Sequence, residues 1–124
     1  IVWISPIGVY APSLLAHDGY LYAVTDNGLA HCWDGKDGSL KWREKAGGSY
    51  SASPVLVDGR IYVSNEQGDT IVFSPNPEKF ELLATNQLGN EIWASPVVAN
   101  DRLFLRVAHT EGENRSESIY CIGE

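Results

Sequence analysis

Apolar residues in this chain come in short alternating bursts, each broken by Asp-Gly, Asn-Gly or Gln-Gly. That is the pattern of half-buried strands joined by tight turns. Three stretches repeat one another: Ser13-Leu14-Leu15-Ala16-His17-Asp18-Gly19-Tyr20-Leu21-Tyr22, Ser53-Pro54-Val55-Leu56-Val57-Asp58-Gly59-Arg60-Ile61-Tyr62 and Ser95-Pro96-Val97-Val98-Ala99-Asn100-Asp101-Arg102-Leu103-Phe104. Each reads as a hairpin. The leading serines are 40 and 42 residues apart, within the span of about 40 to 50 residues that a four-stranded propeller blade occupies.

The first unit continues with an alternating stretch at 20–25, a turn at Asp26-Asn27-Gly28, a strand at 29–33, a turn from Gly35 to Gly38 and an outer strand at Leu40-Lys41-Trp42. Asn27-Gly28 suits a type I′ turn. The second unit has turns at Asp58-Gly59 and Gln67-Gly68, a strand at 70–73 and an expected outer strand at 80–84. Its Ser74-Pro75-Asn76-Pro77 is a connector, because proline removes ladder donors. In the third unit, 95–107 supplies two strands, the polar stretch 109–117 reads as a lengthened loop, and 119–122 is the third strand. Trp3 precedes Ser13 much as Trp42 precedes Ser53, so 1–4 reads as the outer strand of an earlier blade. No stretch carries apolar residues at helical spacing without Gly or Pro interrupting it. The expected fold is all-β: a partial β-propeller of about three four-stranded antiparallel blades. It divides into an outer strand and connector at 1–8, blades at 9–47 and 48–88, and a blade lacking its outer strand at 89–124.

Three units use the whole 124 residues, whereas a closed propeller needs roughly four to eight blades. The chain also contains no methionine and starts at Ile1, so it is expected to be a piece of a longer protein. A net charge of −7 with nine scattered basic residues argues against nucleic acid, which demands clustered Lys and Arg. No apolar run is long enough to span a bilayer, and 1–10 lacks the basic start and apolar centre of a secretion signal. Aligning the repeats places Cys32 and Cys121 at one register of one strand in non-neighbouring blades, too far apart for a disulfide. Both are expected as free, buried thiols.

Cys32-Trp33-Asp34-Gly35-Lys36-Asp37-Gly38-Ser39-Leu40-Lys41-Trp42 resembles the tryptophan-docking signature Ala-x-Asp-x-x-x-Gly-x-x-x-Trp of quinoprotein-type propellers, with Cys32 in place of Ala. Asp34, Gly38 and Trp42 match. Together with the Ser-Pro-Val and Asp-Gly-x-Ile-Tyr cores, this makes most of the chain resemble the pyrroloquinoline-quinone-like β-propeller repeat family. Its ending is similar to the final blades of bacterial members. In the second and third units Ser74 and Gly123 stand where Asp34 does, and no Trp follows at the right spacing. Their interblade contacts are expected to be made otherwise. Trp33-Asp34 is the dipeptide of WD-repeat propellers and Gly47-Gly48 that of kelch repeats, but neither recurs.

Dehydrogenases of the family imply a quinone, a calcium ion with oxygen ligands, a proton-accepting carboxylate and a disulfide between adjacent cysteines. The chain has no adjacent cysteines, and Asp18, Asp26, Asp37 and Asp58 fall in turns, where Asp caps the backbone. His17, His31 and His109 occupy three unrelated contexts without metal-ligand spacing, and Ser13, Ser53 and Ser95 recur as a nucleophile does not. Asn114-Arg115-Ser116 fits a glycosylation sequon but reads as polar loop. Trp93 and Arg106 are the residues that packing leaves unassigned, and both are candidates for binding at the mouth of the central channel. The resemblance implies a non-catalytic scaffold that binds a protein partner in the periplasm or cell envelope of a bacterium. No cofactor is expected in this segment; pyrroloquinoline quinone and calcium enter only if it belongs to a dehydrogenase whose binding residues lie elsewhere. The unpaired ends also raise the expectation of a head-to-tail homodimer that completes the ring, with 1–4 finishing the partner's last blade.

Overall fold

A computed structural model describes residues 1–9 and 12–122. It contains three antiparallel sheets. β1 (Leu15–His17), β2 (Tyr20–Val24), β3 (Leu29–Asp34) and β4 (Leu40–Lys45) form the first in chain order, and β5 (Val55–Val57), β6 (Arg60–Ser64), β7 (Asp69–Phe73) and β8 (Leu82–Gln87) the second. β9 (Val97–Ala99), β10 (Arg102–Glu111) and β11 (Asn114–Ile122) make a three-stranded third. Equivalent cross-strand pairs recur as Tyr22 with Cys32, Tyr62 with Val72 and Phe104 with Cys121.

Strand alternation gives each sheet two faces, and the faces stack. Tyr22, Val24, Ala30 and Cys32 of the first sheet pack on Ile61, Val63, Ile71 and Phe73 of the second, with Trp42 and Tyr50 filling the seam. The second sheet turns Val55, Val57 and Tyr62 to Leu103, Leu105 and Val107 of the third, joined by Ile92. Each fully buried large apolar side chain stabilises the stack by about 1.5–3 kcal/mol. At the innermost strands a second link repeats: the Ser13 N–H donates to Ser53 Oγ, and the Ser53 N–H to Ser95 Oγ, both at 2.8 Å.

Several details differ from the sequence expectation. The type I′ turn lies at Asp18-Gly19, where both φ angles are positive (48° and 81°), and not at Asn27-Gly28, where only Gly28 is (83°). Thr25 and Leu29 instead bracket a three-residue loop ending in the left-handed glycine. The outer strand of the second sheet is β8, Leu82–Gln87, and not 80–84; the connector's prolines delay re-entry into the ladder, and Phe80 packs on Trp42 and Phe73. Residues 1–4 form no strand, since among the described residues no neighbour offers them a ladder.

The stretch 109–117 is not a loop. β10 and β11 continue pairing to Glu111 and Asn114, and only Gly112 and Glu113 turn the chain. Gly112 takes φ 60°, as a two-residue hairpin with glycine at its first position requires. Cys121 is exposed and only Cys32 is buried, although both are free. The cause is local: among the described residues no fourth strand lies beside β11, and its side chains lie open to solvent. The expectation on Gly123 lies outside the described residues.

Candidate functional site

The docking signature resolves into a forward chain of contacts. In the third turn Asp34 Oδ1 accepts the Lys36 N–H at 2.8 Å and the Asp34 carbonyl accepts the Gly38 N–H at 2.9 Å. This fixes a small platform. Gly38 sits at φ 74°, and a Cβ there would run into the Trp3 ring at Cε3, so the indole of Trp3 rests on the glycine itself. Its Nε1 donates to the Gly35 carbonyl at 3.0 Å. Trp42 repeats the arrangement one blade on, with Nε1 donating to the Asn76 carbonyl at 2.7 Å. Asp34 and Gly38 thus receive the preceding Trp, whereas Trp42 docks on the following blade. Because the acceptor is a backbone carbonyl, Ser74 in place of Asp does not remove the dock.

A second constellation lies where the blade connectors return. The connectors after β4 and β8 pass the tight turns of their own blades, through Tyr50 N–H to the Asp26 carbonyl (3.1 Å) and Ile92 N–H to the Glu66 carbonyl (3.3 Å). The β10–β11 ribbon extends from that same end. It brings Trp93 and Arg106 together in one cleft with Glu91, Ala94, Ala108, Arg115 and Glu117. Arg106 occupies the register of Val24 and Ser64, which are fully buried in the first two blades. Here that position is open.

The cleft is an ordered charge network. Glu117 Oε1 accepts from Arg106 Nη2 at 2.7 Å and from Arg115 Nη1 at 2.9 Å. Glu91 accepts from Trp93 Nε1 at 2.8 Å and from Thr110 Oγ1 at 2.9 Å, with Arg115 Nε at 3.5 Å. The Arg106 and then the Arg115 hydrogen bonds hold Glu117 below the usual carboxylate range. For Glu91 the Trp93 indole and then the Thr110 hydroxyl do the same. Both are therefore anions at neutral pH with their lone pairs engaged, unlike a general acid or base poised near 7. Trp93 remains 54% exposed.

The cavity itself measures about 70 Å³, below the roughly 300–1,000 Å³ of small-molecule pockets. Both carboxylates are committed to Arg, Trp and Thr donors, so this cleft offers no free carboxylate to a calcium ion, and its volume is too small for a quinone. Sequence reasoning singled out Trp93 and Arg106 but not Glu91, Arg115 or Glu117, which line the same cleft. The signal available was the Gly112-Glu113 turn, which folds Glu117 back opposite Ala108 and Arg115 opposite Thr110.

A family model described as outer membrane protein assembly factor BamB matches residues 2–77. The chain belongs to this family. Among solved structures it is similar to BamB from Moraxella catarrhalis (15% identity, TM-score 0.63, covering 76% of this chain and 28% of that one). It is also similar to a europium-containing methanol dehydrogenase (14%, 0.62, covering 75% and 19%). A third likeness is to the quinohemoprotein alcohol dehydrogenase ADHIIG from Pseudomonas putida HK5 (16%, 0.61, covering 80% and 16%). The chain spans less than a third of each of these, and at such identities the likeness to BamB and to the dehydrogenases is one of fold. No curated protein matches the chain. Among the described residues no helix is long and apolar enough to cross a membrane.

Proposed function

We propose that this chain is part of a non-catalytic propeller that binds a protein partner in the bacterial cell envelope, at the end of the blades where Trp93 and Arg106 meet. The observation that carries this reading is the half-exposed Trp93 ring beside Arg106, held in place by Glu91 and Glu117. Trp and Arg are the side chains that protein interfaces favour as anchors, and a network already paired on its own side costs little further ordering on binding. Membership of the BamB family supports an envelope setting. The module works without quinone or calcium.

The test uses the full-length protein in the bacterial envelope, carrying a benzoylphenylalanine photocross-linker at position 93. A protein adduct is expected, weakened severalfold by Arg106→Ala. In parallel, dye-linked oxidation of alcohols and sugars is measured with added quinone and calcium, and no turnover is expected. Turnover without an adduct would replace this reading with that of a dehydrogenase segment.

A further inference from the structure

The β10–β11 ribbon reaches past the blade that carries it. β10 is five residues longer than the equivalent β6, and β11 begins four residues before the register at which β3 and β7 begin. A fourth blade strand of the β4 or β8 kind would therefore pair alongside 118–122, reach the 117 carbonyl with its next N–H as Ala46 and Leu88 reach Gly28 and Gly68, and leave 114–116 uncovered. On the opposite edge of the ribbon the chain covers itself. The Ala108 N–H donates to the Glu91 carbonyl at 2.9 Å, and Asn90 brackets Thr110 with its side-chain amide, at 2.8 and 2.7 Å. Ala108 and Thr110 thus turn their backbone groups away from β11. Their partners Glu117 and Arg115 must do the same on the other side.

We propose that this outer edge is a self-recognition site, at which a second copy of the chain adds its own β11 antiparallel about a two-fold axis through Ser116. In that register Arg115 lies opposite the partner's Glu117, and Glu117 opposite the partner's Arg115. The outward backbone groups of both residues become hydrogen-bonded pairs across the axis. An antiparallel strand that complements Arg-x-Glu must itself read basic-x-acidic, and Arg115-Ser116-Glu117 does. The charge order is what selects a second copy as the occupant, since opposite charges directly across a ladder stabilise it and like charges oppose it. It does not rest on the envelope-partner reading, although Glu117 also holds Arg106 in that cleft.

Sedimentation velocity over a concentration series tests it, on the wild type, Arg115→Glu, Glu117→Arg and the double swap. The wild type should dimerise with rising concentration, and each single variant should weaken association about tenfold or more. The double swap and an equimolar mixture of the two single variants should both restore it. In the wild type, the amides of Arg115 and Glu117 should also exchange more slowly with deuterium as concentration rises, while that of Ser116 does not change. This readout holds even where a single variant fails to fold. A wild type monomeric throughout overturns the proposal. So does association that the single variants leave intact, as head-to-tail contact through 1–4 would.

Discussion

The backbone N–H of Ser53 donates to Ser95 Oγ across 2.8 Å, and Ser13 N–H to Ser53 Oγ likewise one blade earlier. The repeat serine can therefore carry two roles: its amide reaches forward to the next blade and its hydroxyl receives the blade before. Ser53 performs both. Its recurrence has a packing cause, and no base accompanies it.

Replacing Ser53 or Ser95 by Ala should cost about 1 kcal/mol each, the net worth of one neutral hydrogen bond. Ser13→Ala, whose hydroxyl has no such donor among the described residues, should stay within about 0.5 kcal/mol. Urea unfolding with unchanged slope reads the difference.

Trp42 divides into ring and donor. Trp42→Phe keeps most of the contact with Phe73, Phe80 and Tyr22 but loses the Asn76 carbonyl, and should cost about 1 kcal/mol. Trp42→Ala empties the seam and should cost about 3–5 kcal/mol. Asn76→Ala, which keeps the acceptor carbonyl and loses only the side-chain cap on the Glu78 N–H, should cost far less than Trp42→Ala in thermal melts.

Cys121 should react with a disulfide reagent in the folded chain, and Cys32 only after unfolding. Burial pushes the Cys32 thiol up to about 11, so little nucleophilic thiolate forms at ordinary pH, and the side chain is inaccessible. Counting thiols with and without denaturant checks this. Two equivalents under native conditions would contradict the buried register of β3.

Stability should fall on both sides of neutrality. Burial draws the His31 imidazole below its usual 6.5. Its contribution is thus present above that pH and lost as pH falls through the folded value. Burial raises Cys32 from 9.0 to about 11 and Tyr50 from 10.0 to about 12. Those contributions are present below the unfolded values and lost as pH climbs through the folded ones. Urea midpoints at about pH 5, 7 and 11 should trace this, and His31→Leu should flatten only the acid limb.

The blades were legible because Ser-Pro-Val and Asp-Gly punctuate one hydrophobic period, and the alternation on β2, β3, β6 and β7 has an apolar side to announce it. The ribbon was not, for a physical reason. From His109 to Glu117 both faces meet water, so alternation has no contrast and polar residues read as loop. The cleft inherited that blindness: Trp93 and Arg106 stand out as unpacked, but Arg115 and Glu117 reach them only through the hairpin. The Trp42 dock was legible from its signature but its acceptor was not, since that is a carbonyl of the kind every residue carries.

Trp3 and Trp42 both dock forward, and the serine amides also reach forward. During synthesis the second blade therefore meets the Trp42 indole and the Ser13 N–H already presented by its predecessor, and the third meets the Ser53 N–H. Assembly acquires a direction, from the amino end onward, in which every finished unit acts as a template for the one being made.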